Sequence, residues 1–245
     1  MPQEFIMFTN YFESFGDLIV QDCYKARPRG ARGAEDKEAL ASIDIPALLT
    51  HVQKITPNYL KLGQADFIDP SGFSPSNTDF IAYRELYPDI MSIMNGKIPS
   101  ELVYGAFFVL ETLSRETLVN TLLKIVNTKK INQYSSGEPE EKGVIPSFVI
   151  AFASDMKLKD VKEEIFGYYT NKNINHQSEF DIIVIINKGI IIKDWREKRS
   201  YVALETGKDT MKWFFVLMNE YFDGEQGRSL DLREYIRDTR SYNEY

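Results

Sequence analysis

The chain has 245 residues, a formal net charge of −7 and 43% hydrophobic residues. That is enough apolar material for one sizeable core, and it excludes wholesale disorder and collagen-like or low-complexity architectures. The single cysteine, Cys23, rules out an internal disulfide; with only two histidines, His51 and His176, it leaves too few ligands for a Cys/His zinc cage. The acidic balance works against polyanion binding by the molecule as a whole and leaves that role to a local basic groove.

The opening MPQEFIMFTNYFESFGDLIV lacks a basic leader and a small-residue cleavage site, and no apolar run reaches the roughly 20 residues of a membrane span. The expectation is a cytoplasmic chain without membrane contact. Phe5, Phe8, Phe12, Phe15 and Ile19 recur at helical spacing, so residues 4–23 read as an amphipathic helix. Its aromatic stripe either packs on the domain or serves as an interface for a partner or a second copy. Arg27, Arg29 and Arg32 follow in a loop broken by Pro and Gly, and a second helix is expected over 36–55, interrupted at Pro46.

Strand signals come next, at 59–68, 80–84 and 103–110, separated by the turn-rich DPSGFSPSN and by a connection carrying Pro88, Gly96 and Pro99. Gly105, inside the third strand, marks a bulge or a close backbone approach. Ser114 is the expected N-cap of a helix over 115–131. After the polar NQYSSGEPEEKG, PSFVIAFAS reads as a strand, Leu158, Val161, Ile165 and Tyr168 mark a helix, and FDIIVIINKGIIIKDW is a hairpin about an Asn-Lys-Gly turn. Helices are expected at 209–222 and 230–238. Strands joined through helices place helices on both faces of a sheet. The fold class is therefore α/β, with a mixed central sheet flanked by helices and an N-terminal helical extension.

The stretch 74–114 carries the chemistry. A turn, a strand led by an acidic residue, a buried strand and a crossover helix form the core pattern of PD-(D/E)XK nucleases. There an Asp and a Glu-x-Lys on neighbouring strands hold Mg²⁺ and an attacking water. Residues i and i+2 of a strand share one face, so the Glu and Lys share one site. The sequence resembles a bacterial family of nuclease-like proteins with Ser-x-Gln-x-Asp-Ile-x-x-Tyr followed by Val-Tyr-Ala-x-Ile-Glu-Val-Lys-Ser. Here Ser76, Asn77, Asp79, Phe80 and Tyr83 match the first block, and Val103, Tyr104, Gly105, Phe107, Val109, Thr112, Leu113 and Ser114 the second. The resemblance spans residues 35–222 and implies a restriction-endonuclease-like core. Residues 1–34 then form an N-terminal helix and basic loop, and 223–245 a short helix and tail.

Aligned on Val103-Tyr104, the family's Glu falls on Phe108 and its Lys on Leu110. Neither binds a cation or moves a proton, so the degenerate motif positions are Asp79, Phe108 and Leu110. The resemblance then implies a catalytically inactive nuclease-like domain in a prokaryotic defence or conflict system, such as an accessory subunit or an immunity protein. It would need no cofactor and would bind a protein partner first and nucleic acid second, with homo-oligomerisation open. The rival is a Mg²⁺-dependent nuclease with a relocated site using Asp79 and Glu111, to which Glu38 or Glu35 contributes and in which Lys124 or Lys61 replaces the lost Lys. Binding candidates are Phe5, Phe8, Phe12 and Phe15 on the first helix, and Lys124, Lys129, Lys130 and Trp195, which would form a basic patch with a stacking ring. His51 and His176 read as ordinary helix and surface residues.

Overall fold

A computed structural model describes residues 3–25, 42–75, 77–85, 95–131, 144–194, 196, 199–223 and 243–244, with the side chains of the first helix described from Asn10 onward. The helices are α1 (Gln3–Cys23), α2 (Ile45–Gln53), α3 (Arg115–Thr128), α4 (Leu158–Asn171) and α5 (Thr210–Asp223). The strands are β1 (Tyr24–Lys25), β2 (Ser42–Ile43), β3 (Lys61–Gly63), β4 (Asp66–Ile68), β5 (Phe80–Tyr83), β6 (Lys97–Pro99), β7 (Val103–Leu113), β8 (Ser147–Ser154), β9 (Ile182–Ile185), β10 (Gly189–Asp194), β11 (Ser200–Glu205) and β12 (Asn243–Glu244). Eight strands make one mixed sheet in the order β12-β11-β10-β9-β8-β7-β5-β3, and β1-β2 and β4-β6 form two-stranded sheets beside it.

The parallel pairs β7–β8 and β8–β9 lie at the centre of the sheet, and antiparallel pairs flank them on either side. The crossovers between the parallel strands run through α3 and α4. Both helices pack on one face, where Phe108, Val149, Ala151 and Ile183 meet Leu118, Leu122, Ile125 and Ile165. The opposite face carries Phe80, Phe107, Phe148, Ile150 and Val184 against α1, α2 and α5. Central strands buried on both faces account for the near-continuous apolar runs of β7 and β9. Gly105 fits the close approach expected of it: a β-carbon there would sit 2.8 Å from the Phe148 ring and 3.2 Å from that of Phe222.

Local chemistry sets the helix boundaries. Ser114 caps α3 in a capping box with Thr117. Pro46 does not interrupt a long helix. It occupies the first turn of a short one, which Asp44 caps by accepting the Ala47 amide, a place where the missing proline N–H costs nothing. The hairpin turn falls on Ile186–Lys188, with Asn187 at φ 58°. β11, absent from the sequence reading, pairs along β10 from Asp194–Ser200 to Ile190–Leu204. The helix expected at 230–238 lies outside the described residues.

Candidate functional site: the nuclease-like face

β5 and β7 run antiparallel with Phe80 opposite Phe107, and these two rings stack 4.4 Å apart on the α1/α2/α5 face. Asp79 precedes Phe80 and so faces the other way, toward α3. Its backbone amide donates to the Phe107 carbonyl at 2.9 Å. Its Oδ2 accepts the Val109 amide at 2.7 Å. Burial pushes the Asp79 carboxyl above its ordinary value, and the Val109 amide and the Lys124 charge on α3 pull it back.

Phe108 lies on the same face with 1% of its surface exposed, in one cluster with Leu118, Leu122 and Ile125, and half-buried Leu110 packs against that cluster. Hydrocarbon therefore stands on β7 beside the lone carboxylate. Mg²⁺ prefers six hard oxygen ligands in near-octahedral array, and among the described residues this face offers one carboxylate, already engaged by a main-chain amide. The described residues of this face do not fit the metal that the resemblance implies. Among the described residues no group of three or more His, Cys, Asp or Glu is placed to hold an ion.

Glu111 is not brought to Asp79. Alternation turns it to the α1 face, where the Tyr24 hydroxyl donates to its Oε1 at 2.9 Å and the Tyr24 ring lies 6.5 Å from Phe152. β7 pairs with β8 from Ala106–Ser147 to Leu113–Ser154 without a register shift, so no bulge after Val109 swings Glu111 inward. Lys61 pairs with Glu85 at the β3–β5 edge. Lys124 is exposed on α3 and is the nearest of the proposed replacement lysines to act electrostatically on Asp79. Glu35 and Glu38 lie outside the described residues.

Phe12 and Phe15 are 3% and 2% exposed. Phe12 stacks on Phe215 of α5 at 5.3 Å, and Phe15 meets His51 of α2 edge-on at 6.0 Å. This part of the stripe is core and is not a free docking surface, a correction to its reading as an interface. The side chains of Phe5 and Phe8 are outside the description, as are Trp195, Arg27, Arg29 and Arg32. His51 is buried rather than an ordinary helix residue, with its Nε2 2.9 Å from Asp22 Oδ2.

Of the expected basic patch, Lys129 is withdrawn from the surface, and Trp195 lies outside the described residues. Lys130 is exposed and donates to Asn127 at 2.9 Å, but the Lys129 side chain is 1% exposed and paired with equally buried Asp181. Asp181 Oδ2 also accepts the Ser147 amide at 2.7 Å. The two ends of the crossover between α3 and β8 thus meet on one oxygen. Beside it Lys193 donates to the His176 carbonyl, and burial pulls its ammonium down to about 8. His176 Nδ1 lies 2.9 Å from Glu179 Oε2, whose side chain is fully buried. Sequence reasoning missed this ionic corner, since Asp181 and Lys193 read as ends of an apolar hairpin. The available signal was a charged residue at each limit of FDIIVIINKGIIIK.

Three solved structures share the architecture over nearly the whole chain. P. aeruginosa ATCC27853 NucC, cAAA-bound, matches at TM-score 0.66 and 16% identity, covering 93% of this chain and 95% of that one. E. coli MS115-1 NucC matches in its apo form at TM-score 0.62 and 15% identity over 92% and 96%. Its cAAA-bound form matches at 0.62 and 14% over 95% and 94%. No family model matches the sequence, and no curated protein does. At these identities the likeness shows the fold alone: the chain has the restriction-endonuclease-like architecture that these NucC structures share.

Proposed function

We propose that this chain is a non-cleaving nuclease-fold domain that acts in the cytoplasm by binding, in a bacterial antiviral setting. The observation that carries the reading is the pair Phe108 and Leu110, packed as hydrocarbon on the Asp79 face of β7. A phosphodiesterase of this kind needs two carboxylates for the ion and a lysine for the water, and the described residues of this face supply Asp79 alone. The defence setting draws on the NucC likeness. A protein partner is the first ligand class, consistent with a net charge of −7. Nucleic acid or a nucleotide comes second, since two of the matching NucC structures hold cAAA. Self-association is compatible with either.

The test is cleavage by the purified chain. Plasmid DNA and a structured RNA, incubated with Mg²⁺ or Mn²⁺ and with or without cAAA, should remain intact at any enzyme-to-substrate ratio. Metal-dependent cleavage that Asp79→Asn abolishes would establish the rival reading, a relocated nuclease site, and end this one.

A further inference from the structure

A groove of about 670 Å³ runs along the outer side of α4, lined by Arg115, Met156, Asp160, Glu163, Glu164, Gly167, Tyr168, Asn171 and Lys172. Asp160, Glu164, Gly167 and Asn171 follow at three- and four-residue spacing, so they form one stripe of the helix. Three of the charges are engaged: Arg115 pairs with Glu164 at 2.7 Å, and the Lys172 ammonium sits 4.6 Å over the Tyr168 ring. Asp160 has no ion pair among the described residues, and Glu163 has only a 4.0 Å approach from exposed Lys159. Asp160, Glu163 and Glu164 outnumber Arg115 and Lys172 in the lining, so the groove carries a net negative charge.

Gly167 is the telling residue. It stands inside a 14-residue helix, where glycine costs roughly 0.5–1 kcal/mol relative to alanine. Its φ is not positive, and a β-carbon built there would meet nothing within 4 Å. Neither backbone conformation nor packing in this chain calls for a glycine. A bare backbone at the floor of an open groove suits something that comes close to it from outside. Tyr168, next to it, is 7% exposed, and its buried hydroxyl has no hydrogen-bond partner among the described residues.

We propose that this groove docks a basic helix of a protein partner, laid along α4 with a small residue against Gly167 and a Lys or Arg reaching Asp160 and Glu163. The stripe from Asp160 to Lys172 spans roughly 18 Å at 1.5 Å per residue, enough for three helical turns of the partner. The negative charge of the whole chain steers the same class of ligand. This deepens the reading of the domain as a protein binder and names its surface.

The experiment uses the full chain and a fluorescent 15-residue helical peptide with an Ala face flanked by Lys at four-residue spacing, alongside a twin with Glu in place of each Lys. Anisotropy should show saturable binding of the Lys peptide and none of the Glu peptide. Gly167→Leu should weaken binding at least tenfold while raising the melting temperature, because leucine fills the groove and suits the helix. Asp160→Asn with Glu163→Gln should weaken it to a similar degree. Equal binding by wild type and Gly167→Leu would mean diffuse electrostatic attraction and would overturn the proposal, as would no binding at all. The cleavage assay is insensitive to Gly167, so failure of the groove and failure of the non-cleaving reading are separable.

Discussion

Asp79 holds the edge of β7 together. Its Oδ2 takes the Val109 amide at 2.7 Å, at the point where β5 has ended and no strand carbonyl is left for that donor. Removing the acceptor leaves a half-buried N–H unsatisfied, which costs on the order of 1–3 kcal/mol. Asp79→Ala should lower the urea midpoint accordingly, and Asp79→Asn, which keeps a carbonyl oxygen, should lower it by less than half as much. Equal losses would show that the carboxylate charge matters and not the amide bond. At Lys193 burial holds the ammonium near 8 against an ordinary 10.5. The unfolded chain then binds that proton more tightly than the folded one. Stability should rise with pH between those values, and the full cost is present below the lower one. Cys23, raised by burial from 9.0 to about 11, acts in the opposite sense only above its ordinary value. Between about pH 7.5 and 9, urea unfolding should therefore show stability climbing by on the order of 1 kcal/mol, and Lys193→Met should flatten that climb. A fall over the same range would reverse the assignment.

Among the elements, α1 is the one for which the fold decides between two readings of the same pattern. Its period fixes the helix but not what covers its apolar stripe, because a docked helix and a free amphipathic one carry the same pattern. Packing decides: Phe12, Phe15, Ile19 and Cys23 lie in the core with Leu48, Val52 and Phe214. Phe15→Ala should cost about 3–5 kcal/mol in chemical unfolding, whereas Leu18→Ala, at a position 45% exposed, should cost little. Equal effects would mean that α1 does not dock as described. The polar contacts agree with docking. Asp17 accepts from Asn187 at 2.6 Å and from Lys208 at 3.0 Å, tying α1 to the β9–β10 turn and to the start of α5. A β-carbon at Gly16 would sit 2.3 Å from Asn187 Oδ1.

At the scale of the whole molecule, the layered fold was legible because each central element carried its own signal. β7 through β10, and then α5, read in order from apolar runs, the Ser114 cap and the Asn-Lys-Gly turn, and the resemblance supplied the restriction-endonuclease-like topology that the NucC structures share. Short edge elements escaped. β11 reads SYVALE, a half-buried strand whose alternation covers only three residues on each face, and β6 has just three residues. The ionic corner was hidden for a different reason. Lys129 and Asp181 are 52 positions apart, and a charge buried by a distant partner looks like any surface charge until the chain is folded. The opposition of Asp79 to Phe108 and Leu110 came from the resemblance, and strand alternation added only that the two β7 positions share one face. The opposite facing of Glu111 followed from the same period.

The non-cleaving reading requires that this nuclease-like face hold no divalent ion. Titrating Mn²⁺ into the purified chain, with heat and protein melting temperature followed together, tests it most directly. The account predicts no saturable heat, no stabilisation at millimolar metal, and identical traces for the wild type and Asp79→Asn. One equivalent of Mn²⁺ bound with a rise in melting temperature, both lost in Asp79→Asn, would contradict it.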